Sequence, residues 1–200
     1  MTYLEAINYI LAMTGSPEVQ EEDLAENYPD IVGAKARLDT EIRTIQNRGW
    51  WFNTLTANVT PDPDSNLVST SGILRLLPRH AGTFTLRNDN LYNLTDGTFE
   101  FLGEVSLSAV VQLAWEDLPF SVQEFAKQKA AEKVILMDLE DFNKAQMLGS
   151  AIMEAQVALF TEEGEARKVN ALCSPAALRA LSGTKPYRLQ SINNNLYPLG

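Results

Sequence analysis

Apolar residues recur along this chain at two different periods, and the change between them marks its organisation. Ile31, Ala34, Leu38, Ile42 and Ile45 fall at steps of three or four, which puts one apolar stripe on a helix. Lys35, Arg37, Asp39, Glu41 and Arg43 are then expected on the polar side. Arg48-Gly49 follows, with a glycine able to take the left-handed conformation that ends a helix. Trp50, Trp51 and Phe52 come next, and from Trp51 to Val59 the pattern alternates, as in a strand. The stretch from Ile31 to Phe52 therefore predicts a junction between a helical layer and a β-layer, with aromatic rings in the seam.

The flanking segments extend both layers. Thr2 and Glu5 have the spacing of a capping box ahead of a helix whose inner face carries Leu4, Ile7 and Leu11, and Gly15 with Pro17 stops it. Residues 18–27 are acidic and weakly patterned, a solvated connection, and Pro29 suits the start of the next helix. Beyond Val59, further strands are predicted over Ile73–Leu77, Thr83–Arg87, Asn90–Leu94, Thr98–Leu102 and Val105–Leu113. The short turn-rich links between them point to a meander or small barrel. Asp117 and Pro119 then open a helix with Val122, Ala126, Ala130, Val134 and Met137 on its apolar face. After Glu140-Asp141 a second pattern, Phe142, Ala145, Leu148, Ile152, Ala155 and Leu159, predicts a long helix paired antiparallel with the first.

The expected class is α+β: an antiparallel helical bundle formed by N- and C-terminal helices, with an inserted antiparallel β-domain and an extended C-terminal tail. The corresponding boundaries are 1–50 and 116–174 for the two parts of the helical domain, 51–115 for the β-domain and 175–200 for the tail.

Composition narrows the function. The 200 residues carry 26 acidic and 16 basic side chains, a net charge of -10, which argues against a surface that grips nucleic-acid phosphates. A single cysteine, Cys173, excludes an intrachain disulfide and a multi-cysteine metal site. Neither a bilayer-spanning run nor the basic and apolar regions of a signal peptide are found, so a soluble chain without a membrane partner is expected.

Candidate chemistry is sparse. His80 is the only histidine and sits in the turn LPRHAG, where it is read as a surface residue without catalytic partners. Cys173 has no activating base nearby in sequence. Glu154, Glu162, Glu163 and Glu165 raise the alternative of a glycosidase, a polysaccharide or cell-wall hydrolase working through paired carboxylates. Against that, Glu163 stands four residues before Arg167, the spacing of an ion pair on a solvated helix face. TDGT and SGTK lack the spacing of a phosphate loop. Trp50 and Trp51 are assigned to the structural seam rather than to an interface. No catalytic, cofactor-binding or metal-ligating residue is predicted, and no cofactor.

The order AINYILAMTGSPEV, IQNRGWWFN, LRNDNLYNLTDGTFEF, WEDLPFSVQEFAKQKAAEKV and EEGEARK, from Met1 to about Cys173, resembles the tail tubular protein A family of short-tailed bacteriophages. The resemblance implies a non-enzymatic virion protein, a head-to-tail adaptor forming a dodecameric ring under the portal protein. A tail nozzle protein would lie below it, tail fibres would attach at its periphery in fibre-bearing relatives, and DNA would pass the lumen without specific binding. It further implies assembly in the host cytoplasm, and a tail at 184–200 that clasps neighbouring copies.

Overall fold

The computed structural model describes residues 1–21, 23, 28–80, 82–138 and 140–173. The expected tail at 175–200 lies outside them. The protein is of mixed α+β class, and residues Met1–Leu159 form one compact unit, with the chain from Phe160 onward a second.

Helix α1 (Tyr3–Thr14) starts on the predicted capping box: the Thr2 side chain accepts from the Glu5 amide at 3.1 Å and the Glu5 carboxylate accepts from the Thr2 amide at 2.7 Å. It ends at Gly15, whose φ of 81° is left-handed. Helix α2 (Pro29–Asn47) buries Ile31, Ala34, Leu38, Ile42 and Ile45, as its spacing predicts. Glu41, expected on the polar side, is only 4% exposed. It lies three residues after Leu38 and four before Ile45, hence on the apolar stripe, and it is tolerated there because Lys133 of α3 (Phe120–Asp138) forms an ion pair with it. Ile7, Ile10 and Leu11 of α1, the stripe of α2, and Val122, Ala126, Ala130 and Val134 of α3 share one apolar core, with Trp50 and Trp115 at its edge. Met137, placed by its spacing on that inner face, is 60% exposed in the last turn of α3.

The strands are β1 (Thr54–Val59), β2 (Ile73–Leu76), β3 (Phe84–Arg87), β4 (Asn90–Asn93) and β5 (Val105–Val111). They form neither a meander nor a barrel. β5 lies between β1 and β2 in one antiparallel sheet, and β3 pairs with β4 as a separate hairpin. β5 takes the centre because Leu107 to Val110 are all buried, Ser108 included, the continuous buried run of a strand covered on both faces. The predicted strand over Thr98–Leu102 reduces to bridges of Thr98 to Asn93 and of Glu100 to Leu67. Phe101 turns inward to a second apolar core with Val68, Leu91 and Leu107, while Leu102 points to solvent. β1 begins at Thr54 rather than Trp51, because residues 51–53 form the turn that joins the layers. Helix α4 (Phe142–Cys173) buries Ala145, Ile152 and Leu159, whereas Phe142, predicted with them, is 73% exposed.

Candidate functional site

The seam between α2 and the three-stranded sheet is densely hydrogen-bonded. Gly49, with φ of 81°, directs the chain out of α2, and a Cβ placed on it would lie 2.7 Å from Cγ2 of Val110 and 3.0 Å from Nη2 of Arg75. Only glycine satisfies both the left-handed backbone and that close approach. Trp50 is buried, and its indole N–H donates to the Ile45 carbonyl at 2.7 Å. Trp51 stacks edge-on against both Trp50 and Phe52, so the three rings do pack in the seam.

Sequence reasoning missed the polar half of this junction. Asn53 is buried; its side-chain oxygen accepts from the Trp50 amide at 2.8 Å, and its nitrogen donates to the carbonyls of Gln46 and Val111, both at 2.9 Å. Gln46 is fully buried and closes a two-way pair with the backbone of Leu113, accepting at 2.7 Å and donating at 3.1 Å. Arg75 of β2 donates to the carbonyls of Asn47 and Arg48 at 2.7 and 2.5 Å. Those are orphan acceptors at the end of α2, so the guanidinium caps the helix. Each polar group taken out of water here has a partner, which is the condition for burying it at all. The seam is a joint closed by hydrogen bonds from both layers.

His80 is not the free surface residue expected. Its Nε2 accepts from the Ser108 amide and from Nε of Arg79, each at 3.0 Å, and its ring stacks on Phe84. Arg79 in turn donates to the hydroxyls of Ser108 and Thr56. The imidazole is thus a staple holding the short helix Pro78–His80 against β5, and its acceptor nitrogen is already engaged.

Of the acidic residues raised as a carboxylate pair, the structure engages Glu163 with a basic partner. Glu163 is buried and its carboxylate is held by Arg167 at 2.5 and 2.7 Å, the predicted ion pair. The side chain of Cys173 lies outside the described residues. Among the described residues, no three histidine, cysteine or acidic side chains stand close enough to hold a metal ion, and no helix is long and apolar enough to cross a membrane.

A hollow of about 710 Å³ lies between α1 and α2 and is lined by Ile10, Thr14, Asp30, Val32, Gly33 and Ala36 among others. Its titratable groups are Asp30, which accepts from the Ser16 hydroxyl at 2.9 Å, and Arg37. That lining carries a single carboxylate, so it does not offer the two facing carboxylates of a glycoside hydrolase. What the surface does offer is exposed apolar side chains: Phe120, Met137, Phe142, Met147 and Met153, and Leu102 on the β-side.

The family model described as tail tubular protein matches residues 4–176. Tail tubular protein A of Klebsiella phage KP34 is 29% identical over 140 residues, covering 70% of this chain and 74% of that protein.

Proposed function

Because this chain belongs to the tail tubular protein family, structural proteins of the phage tail, we propose that it is the head-to-tail adaptor of the virion. In this reading copies of the chain form a ring, twelve in number as the family resemblance implies, between a portal protein and a tail nozzle protein, and DNA passes through the lumen. The observation that carries it is the family match over residues 4–176; the seam and the surface described above are consistent with it. A ring of identical heterologous contacts closes on itself and stops growth. A net charge of -10 lets duplex DNA pass the wall without adhering to it, since like charges repel at short range and no counterion is released.

The domain division follows from the same reading. The helices of 1–50 and 116–174 form one discontinuous domain, 51–115 is a β-domain inserted in it, and 175–200 is a C-terminal tail whose part 184–200 reaches neighbouring copies. Assembly takes place in the host cytoplasm. The chain acts by shape and contact, without cofactor or turnover.

Negative-stain microscopy of the full chain mixed with a portal ring tests the proposal. The expected result is a second ring stacked coaxially on the portal. Portal rings that remain bare, or hydrolysis of cell-wall polysaccharide that disappears in Glu163→Gln, would overturn it.

A further inference from the structure

Charge is divided unevenly along this chain. All 26 acidic side chains fall within residues 1–173, while residues 174–200 carry Arg179, Lys185 and Arg188 and no acid. The opposite extreme lies near the other end, where residues 18–30 hold six carboxylates and no base.

The fold gives that acidic stretch a shape. A hollow of about 410 Å³ opens between the end of α1 and the start of α2, walled by the apolar side chains of Leu11, Val19, Tyr28 and Ile31. Leu11 and Ile31 are buried at its floor, and Tyr28 stands at its rim, 56% exposed. Glu18, Asp23 and Asp30 also line it, and among the described residues no lysine or arginine does. Asp23 accepts from the Gln20 amide at 2.7 Å and Asp30 from the Ser16 hydroxyl at 2.9 Å. Both donors are neutral and leave the carboxylate charge in place. An apolar groove edged by carboxylates suits a peptide that interleaves apolar and basic side chains. Lys185, Tyr187, Arg188 and Leu189 supply that combination within five residues.

We propose that this hollow receives residues 184–200 of a second copy of the chain. Charge complementarity selects the occupant: bodies that carry every acidic side chain repel one another, whereas a segment with three bases and no acid is drawn to the carboxylates of the groove. The groove and the segment are different surfaces, so each copy gives one and takes one. A heterologous contact of this kind closes a ring, where a self-complementary patch would stop at a dimer. Reach is not limiting, since residues 174–200 could extend over as much as about 90 Å, against about 18 Å for the whole of α1. The inference rests on the ring reading above and names the surface that takes the segment.

A photo-reactive benzoylphenylalanine in place of Tyr187 tests it in the full chain, assembled on portal rings from a mixture of isotope-labelled and unlabelled copies. Cross-links should join a labelled to an unlabelled copy and map to residues 11–31. Lys185→Glu with Arg188→Glu should lower their yield about tenfold, as should Glu18→Lys with Asp23→Lys, and the four changes together should restore it. The exchanged side chains carry no core packing, so melting temperatures should stay within a few degrees of the wild type. Cross-links that map elsewhere on a copy, onto the portal or within one chain would overturn the inference while leaving the adaptor reading intact. So would assembled rings without cross-links, or a yield that no charge reversal alters. Portal rings that remain bare with the wild-type chain would overturn the adaptor reading and the inference with it.

Discussion

The seam at Gly49–Asn53 and the outer edge of α4 are opposites. In the seam, two amides and a guanidinium occupy a site where apolar side chains would be expected, and every one of them is bonded. On α4, phenylalanine and methionine stand in solvent where charge would be expected. The difference teaches how a subunit of an assembly divides its work. Directional hydrogen bonds fix the angle between helical layer and sheet within one chain, since they hold one geometry and no other. Non-directional apolar side chains that stand in solvent leave no such imprint on the fold. A perturbation of the seam should therefore appear in the stability of the folded chain, and one of the exposed α4 side chains should leave that stability unchanged.

The sharpest way to break the seam is Gly49→Ala. A left-handed backbone costs a residue with a side chain about 1–2 kcal/mol, and the clash with Val110 at 2.7 Å adds overpacking of about 1–3 kcal/mol. Urea denaturation should give a loss of about 3 kcal/mol. Gly15→Ala is the control, because Gly15 has the same φ of 81° and nothing within 4 Å of its Cβ; it should lose only the backbone part. Equal losses at the two positions would show that close packing at the seam contributes nothing.

The second effect concerns polar burial inside the helical layer. The Glu41 side chain is 5% exposed and its partner Lys133 is 36% exposed. Removing the lysine leaves a buried carboxylate alone, whereas removing the carboxylate leaves an ammonium that water still reaches. Lys133→Met should therefore destabilise by about 2 kcal/mol, discounted from the full value for a buried pair because the lysine is partly solvated. Glu41→Gln should cost clearly less. The reverse order in thermal melts would mean that the pair is held for the sake of the lysine.

What the sequence made legible divides by distance along the chain. The cap of α1 was readable because Thr2 and Glu5 answer each other within one turn. The stripe of α2 was readable because five apolar positions repeat. The partners of Gln46 and Asn53 lie 67 and 58 residues away, and no local pattern distinguishes a buried amide from a solvated one. Glu41 was within reach, since its place between Leu38 and Ile45 puts it on the inner stripe. Phe142 was assigned to the inner row because it stands three before Ala145, although it also begins the second row through Gln146 and Gly149. Alternation described the strands well, but strand order depends on which strand is covered on both faces, and that is decided by partners elsewhere in the chain.

The smallest effect sharpens the comparison from the outside of the core. The Tyr3 hydroxyl donates to Asp39 at 2.8 Å and joins α1 to α2. Partial burial first, then the hydrogen bond and charge of Asp39, hold its phenol well above the ordinary value near 10. The folded protein therefore keeps this proton at a pH where the unfolded chain has lost it. That contribution is fully present below about pH 10 and is lost as the pH rises from there toward the folded value. Tyr3→Phe should cost about 1 kcal/mol at neutral pH and flatten the alkaline decline of stability, read as urea midpoints from pH 8 to 11. A decline as steep in Tyr3→Phe as in the wild type would assign the alkaline loss to other groups and leave Tyr3 with packing alone.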